Sequence, residues 1–464
     1  MANLSIKSKL LVMLLAVSLF SIAGVASLNY YGTYRALQAS VFSHLTSVRT
    51  SRASQIEQLL ETLVVAVRTN GRGIAGEAAR EFIDAFAQLN VSEIDADKDA
   101  ALRQYYREQF LPALATATGA EPDINSVYPD TPAARYLQYE YIANNPFRDG
   151  DRAQMLRADD GSPYSRIHEK YHPRMTGLFL GMGFSNVLLI DIETGAVVYS
   201  ARKYASYGTR LSDGPYAHGH LADLFRALQR SPDRGRVEVT DFEEHRARRA
   251  VPTAFIGTPL FHEGRAVALL VVELPADAID RVMTDDRRWE RDGLGKTGEV
   301  YLVGPDSRMR SNSRLMIEAP EQFAKQLQTI KTPQADIVRS LAQKSTILNL
   351  DVTSFAVSQA IGAGEGTAAT IGYRGENVPA SWAPIRVAGL RWGIVATMDR
   401  DEAYAPMRSM ARDTLIQTLL ILLVVTLVVM FLAASFVRPV NDLIARLRRA
   451  RGQGGPRRHG RIDR

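Results

Sequence analysis

The sequence predicts an α+β protein: two antiparallel-sheet modules on a long N-terminal helix, flanked by two transmembrane helices. Three observations predict it. Two long uncharged apolar runs, Leu10 to Leu28 and Thr414 to Val437, lie near the two ends of the chain. Between them a strand–turn–strand pattern occurs twice. Ahead of both copies runs a helical seam of apolar residues.

A hydrocarbon core of ~30 Å takes about 20 helical residues at ~1.5 Å each. The two apolar runs, of about 19 and about 24 residues, meet that length, and as helices they satisfy their own backbone in lipid. The expected spans are residues 10–29 and 414–437. Lys7 and Lys9 precede the first with no acid before them, and an arginine cluster follows the second. Positive flanks stay inside. Both termini, including the short segment 1–9, are therefore expected in the cytoplasm of a bacterial plasma membrane, with residues 30–413 outside. A cleaved signal peptide, with Gly24-Val25-Ala26 ahead of Ser27, is the alternative for the first run. The length of the run and the helix continuing beyond it favour a span. Tyr30, Tyr31 and Tyr34 would sit at the outer interface.

The formal net charge of +6 belongs to the tail. Arg438 to Arg464 holds nine Arg and two Asp, a balance of +7, so the remainder is nearly neutral. A basic stretch directly after an apolar helix reads as a flank near anionic lipid, not as a nucleic-acid surface. The chain has no cysteine, so its outer region relies on hydrophobic cores rather than disulfides. Its 464 residues suffice for two or three such cores.

Residues 30–70 read as a stalk helix. Leu37, Val41, Leu45, Val48, Ile56, Leu59 and Leu63 form a narrow seam. It would pack on its own domain, on a twin helix in a homodimer, or on both. Asn70 to Gly73 breaks it. Residues 71–275 read as a membrane-distal module with a helical insertion: helices at Ala79–Leu89 and Lys98–Thr116, then loops at Pro122, Pro129 and Pro132. Strands follow at Asn186–Asp191, Ala196–Ser200, Ala254–Leu260 and Ala266–Glu273, with a turn at Glu263-Gly264. Residues 276–410 read as a membrane-proximal module. It opens on a helix to Met283. Strands are expected at Gly298–Val303, Arg308–Ser311, Ala368–Tyr373, Val378–Ile385 and Trp392–Met398.

Here the residues resemble a known family. Asp292-Gly293-Leu294-Gly295-Lys296-Thr297-Gly298-Glu299-Val300-Tyr301-Leu302-Val303-Gly304-Pro305-Asp306, with Met309 to Arg314, Ala380 to Pro384 and Gly389 to Trp392, looks like the proximal module of double Cache sensor domains. Leu189 to Gly195, Tyr199-Ser200 and Asp213 to Tyr216 are similar to the distal one. The resemblance implies two PAS-like modules on a long helix, with a small molecule bound in the distal module. Such domains stand upstream of HAMP linkers and of adenylate or guanylate cyclases, histidine kinases or chemotaxis transducers. Phe436 to Val440 resembles the start of a HAMP helix, carried on to 451. Residues 452–464 read as a basic, disordered tail without an output domain. The expectation is a receptor with no catalytic part of its own. A truncated or frame-shifted cyclase or kinase gene is the alternative, and a solute-binding envelope protein a weaker one.

A small-molecule pocket needs a few polar groups that fix orientation. The segment from Tyr164 to Arg174 is rich in them, and helical spacing puts Tyr164, His168 and Tyr171 on one side. The candidate ligand-binding residues are Tyr164, His168, Tyr171, His172, Arg174, Tyr199, Asp213, Tyr216 and Asp241. The cations would pair a carboxylate and an Asp would hold an amine. The competing reading is that these side chains only pack a helix–sheet junction. The Arg-x-Trp-Tyr type of cluster found in some amino-acid-binding members is absent. His218-Gly219-His220 is a weak metal signal and reads as structural. Met309 to Arg314 reads as a hairpin-holding segment. No catalytic set, cofactor motif or phosphate-cradling loop stands out. The partners expected are an unidentified small molecule, a second copy of the chain and the lipid bilayer.

Overall fold

The computed structural model describes residues 6–71, 73–89 and 93–452. The chain forms two units: Phe42–Glu402, and Met1–Val41 together with Ala403–Arg464.

Helix α1 (Ile6–Asn70) is continuous from the first apolar run through the stalk. In its first part Val12, Val17, Phe20 and Leu28 are exposed. Its later part turns Leu45, Ile56 and Leu63 of the expected seam inward, together with Leu60 and Val67, which the seam did not include, while Leu37, Val41, Val48 and Leu59 are half-buried. The expected break falls at Asn70; Arg72 lies outside the described residues.

After α2 (Ile74–Ala87) come α3 (Ala96–Tyr105), α4 (Leu111–Thr118) and α5 (Pro132–Gln138), then α6 (Pro163–Met175). The distal sheet follows with β1 (Asn186–Asp191), β2 (Val197–Ser200), α7 (His220–Arg230), β3 (Glu238–Val239), β4 (Glu243–His245), β5 (Val251–His262) and β6 (Arg265–Pro275). Its order is β2-β1-β6-β5-β3, with β4 also on β5, and all pairings are antiparallel. β1 is buried along its whole length, as its unbroken apolar run requires. The β5–β6 hairpin closes at Glu263 (φ 48°) and Gly264 (φ 84°). Two successive positive φ values make the tight turn that suits the twist of a hairpin. Gly257 on β5 lets α7 lie close: a Cβ there would meet Leu224 Cδ2 at 2.6 Å.

Helix α8 (Ala276–Thr284) leads into the proximal module: β7 (Glu299–Val303), α9 (Arg314–Glu318), α10 (Pro320–Thr329), α11 (Gln334–Gln343), α12 (Phe355–Ile361), β8 (Gly366–Ile371), β9 (Asn377–Pro384) and β10 (Gly393–Thr397). The order β7-β10-β9-β8 repeats the first sheet's logic, with the first strand beside the last. The expected strand at Arg308–Ser311 is absent. It is reduced to single bridges, Val303↔Met309 and Arg308↔Asp351. Its backbone bonds are divided: Arg310 N donates to Leu302 O (2.8 Å) and Met309 N to Leu350 O (3.1 Å).

The stalk is riveted to this module. Arg49, 2% exposed, donates to Trp382 O (2.8 Å) and pairs with Glu365 (2.7 Å). Arg52 pairs with Asp292. After α13 (Arg400–Ala403), α14 (Ala405–Gly452) contains an apolar stretch, Ala405–Phe431, long enough to cross a membrane. Leu415, Leu419, Leu423 and Phe431 are exposed on it. The segment 438–451, expected from its resemblance to begin a HAMP helix, is a continuation of α14, and the tail from 453 lies outside the described residues.

Candidate ligand-binding site

Helix α6 starts where the sequence caps it. Ser162 Oγ accepts from Ser165 N (3.0 Å), and Pro163 occupies the first turn, where a missing N–H costs nothing. From there Tyr164, His168, Tyr171, His172 and Met175 recur at helical spacing, and all are buried. Arg166 and Arg174 point the other way and are exposed. Across from the buried face, β2 supplies Tyr199, and the chain after it supplies Lys203 and Tyr207. Tyr141 and Phe82 come from the helical segments at 139–143 and α2.

The polar atoms of this cluster form a connected set. Tyr164 donates to Val198 O (2.5 Å), which leaves its oxygen to accept from Tyr207 (2.5 Å). His172 Nε2 lies 2.6 Å from Ala153 O, so that nitrogen carries the proton and Nδ1 accepts from Tyr199 OH (2.8 Å). His168 Nδ1 donates to Leu156 O (2.5 Å) by the same logic. Its Nε2 is then a buried lone pair without a partner. The two imidazoles stack, with centroids 4.3 Å apart. Tyr171 reaches out of the cluster and donates to Glu81 (2.6 Å).

Lys203 is the unusual member. It is fully buried, and no carboxylate among the described residues forms an ion pair with it. Its Nζ donates to Ala201 O (3.2 Å) and lies 3.4 Å from the protonated nitrogen of His172. Burial, helped by Arg202, pushes its pKa well below the ordinary lysine value. Burial and then Lys203 bring His172 down to about 3. Burial, Lys203 and His172 likewise hold His168 well below the usual histidine range. Two imidazoles are thus kept neutral beside a destabilised ammonium.

Of the nine candidates, Tyr164, His168, Tyr171, His172 and Tyr199 come together. The other four lie elsewhere. Arg174 is on the solvent face of α6. Asp213 is exposed and pairs with Arg210 (3.0 Å). Tyr216 is buried in the core below α3 and α7, donating to Val127 O (3.3 Å). Asp241 is held by the proximal module: Arg310 grips it with two bonds of 2.8 and 2.9 Å, and Trp392 Nε1 donates to it (2.7 Å). His220 is spent on the Asp241 carbonyl (2.8 Å). Tyr141, Tyr207 and Lys203 were not anticipated. The last two follow β2 in an irregular loop, where no periodicity marks a residue as inward-facing.

No family model matches the chain, and no curated protein does. Among solved structures, it is similar to an extracellular ligand-binding receptor from Desulfohalobium retbaense (16% identity, TM-score 0.31, covering 63% of this chain and 40% of that one). It is also similar to the ligand-binding domain of the Pseudomonas aeruginosa amino-acid chemoreceptor PctB in complex with L-Gln (15%, TM-score 0.31, 68% and 98%). A third is that of the Pseudomonas fluorescens chemoreceptor CtaA with L-leucine (13%, TM-score 0.29, 69% and 97%). These are Cache-type extracellular sensor domains, the family whose features the sequence resembles.

Proposed function

We propose that the chain is a two-pass receptor of a bacterial plasma membrane, with both termini cytoplasmic. Its outer double Cache region binds a small molecule in the distal module, within the cluster of Tyr164, His168, His172, Tyr199, Tyr207 and Lys203. The observation that carries this is the buried Lys203 beside the unpartnered Nε2 of His168. Packing alone gives no reason to bury an ammonium without a counter-charge, because the cost is several kcal/mol. A ligand that supplies hydrogen-bond partners there recovers that cost and favours the arrangement of α6 and β2 that holds it. It shifts the equilibrium only by its differential affinity for the two arrangements. The shift passes along the riveted stalk and the second span to the HAMP-like helix, in a homodimer. In this reading the chain reports occupancy and performs no catalysis.

Two measurements test it. The chain has no native cysteine, so single cysteines report topology cleanly. A membrane-impermeant maleimide should label Glu193→Cys in intact spheroplasts, and Arg464→Cys only after permeabilisation. Labelling of Arg464→Cys without permeabilisation would contradict the topology. A thermal-shift screen of the full chain in detergent against small metabolites should yield compounds that raise Tm in the wild type. Hits that raise it equally in Lys203→Met would move the site elsewhere.

A further inference from the structure

A pocket lies in the distal module that shares no lining residue with the tyrosine–histidine cluster. It has a volume of about 190 Å³ and is walled by Tyr105, Phe110 and Tyr204. That is smaller than the ~300 Å³ at which pockets for drug-sized molecules begin, so it suits a compact ligand. Its charged lining is Arg152, Arg248 and Arg249 against one acid, Asp149, an excess of two positive charges.

The three guanidiniums are held in place by the walls. Arg152 is 5% exposed, lies over the Tyr105 ring (5.2 Å) and donates to its hydroxyl (3.1 Å). Arg248 lies over Tyr204 (5.5 Å), and Arg249 over Phe110 (5.9 Å). Aromatic faces leave the planar edges of the guanidiniums free for oxyanions. Asp149 is shared: it pairs with Arg152 (2.7 Å) and with Arg249. The hydrogen bonds of Arg248 go to hydroxyls, Ser185 at 3.3 Å and Thr253 at 3.5 Å, and its charge also acts on the buried carboxyl of Glu273 behind the pocket wall. Arg152 Nε is buried and has no partner. Arg249 and Ala250 both hold positive φ (54° and 60°). Non-glycine residues adopt such angles at a cost, and they cluster where the surroundings impose them. Three arginines, one shared acid and an unanswered buried N–H leave the pocket's own lining short of negative charge.

We propose that this pocket is a second ligand site, and that it takes a compact dianionic oxyanion in bidentate contact with Arg248 and Arg249. Inorganic phosphate and succinate carry that chemistry from two sources; acetate is the monoanionic control. The test is calorimetric titration of the full chain in detergent with each anion, at constant ionic strength set with sodium chloride. Phosphate or succinate should bind at least tenfold more tightly than acetate, and which of the two does so identifies the source. Arg248→Gln and Arg249→Gln should each weaken that binding tenfold or more. Asp149→Asn removes the competing carboxylate and should tighten it, which keeps the test decisive if an arginine variant fails to fold. The proposal is overturned if no dianion binds more tightly than acetate, or if affinity is unchanged in all three variants. It is equally overturned if binding is lost in Lys203→Met but kept in Arg248→Gln and Arg249→Gln, which would put the dianion in the tyrosine–histidine cluster.

Discussion

Lys203 and His172 are a conflict that the fold tolerates. A lysine whose folded pKa lies below its unfolded value of ~10.4 binds fewer protons folded than unfolded. Stability therefore rises with pH across the window from the lowered folded pKa up to ~10.4, and the penalty is complete below it. Lys203→Met keeps the length and removes the charge. It should raise Tm near neutral pH, by an amount equivalent to roughly 1–4 kcal/mol, and flatten the rise between pH 8 and 10. Urea unfolding at several pH values measures both. His172 has the same sign in a lower window. Its pKa of about 3 lies under the unfolded ~6.5, so stability is lost as pH falls through that interval, at about 1.4 kcal/mol per pH unit. His172→Gln should lessen the slope of stability against pH between 6 and 4 relative to wild type. An unchanged slope would mean that His172 is not kept neutral.

At the scale of the element, α6 decides whether the cluster exists at all. Its register is fixed at one end by Ser162 and Pro163 and confirmed along its length by the buried row from Tyr164 to Met175. Ser162→Ala removes the acceptor for Ser165 N and should cost about 1 kcal/mol. The same variant should weaken ligand binding by loosening the turn that carries Tyr164. Circular dichroism melts and the thermal-shift response to a hit compound separate the two effects. The inward face of the element was legible because helical spacing is a local signal. The loop after β2 was not. Lys203 and Tyr207 face inward because tertiary contacts hold the backbone there, including a positive φ at Lys203 (56°) that no local pattern announces.

At the scale of the whole larger unit, the two sheet modules are tied by a compact clamp. Asp241, from the loop between β3 and β4, receives Arg310 and the Trp392 indole from the proximal module, and Phe242 stacks on Trp392 at 5.6 Å. The Arg310 side chain is 3% exposed. Asp241→Ala would leave it with Asp306 and the Arg308 carbonyl and strand the indole N–H. Breaking a buried pair in this way costs about 3–5 kcal/mol. Amide exchange should quicken around Phe242 and Trp392 more than inside β1 or β10. Uniform quickening would mean that the clamp holds no local structure. Met309 to Arg314 is where one expectation was half met. The segment does brace the chain beside β7, with Ser311 Oγ accepting from Leu302 N (3.0 Å), but it is no strand, and its Arg310 also reaches across to Asp241 of the neighbouring module.

By itself the sequence determined the elements whose signals are local: two apolar runs, β1, the Glu263-Gly264 turn, the inward face of α6, and hence the repeated antiparallel modules on one long helix. Those features follow from periodicity, backbone preference and the length of an unbroken apolar run, and each is decided by residues near one another in the chain. Only the tertiary structure decided which polar side chains meet. It gathered five of nine candidates around a lysine that no local pattern marks, and gave Asp241 to a clamp. It also set three arginines around a pocket whose walls come from four separate parts of the distal module. Long-range encounters of this kind depend on how sheets and helices stack, and a single charged residue carries no mark of the partner it will face.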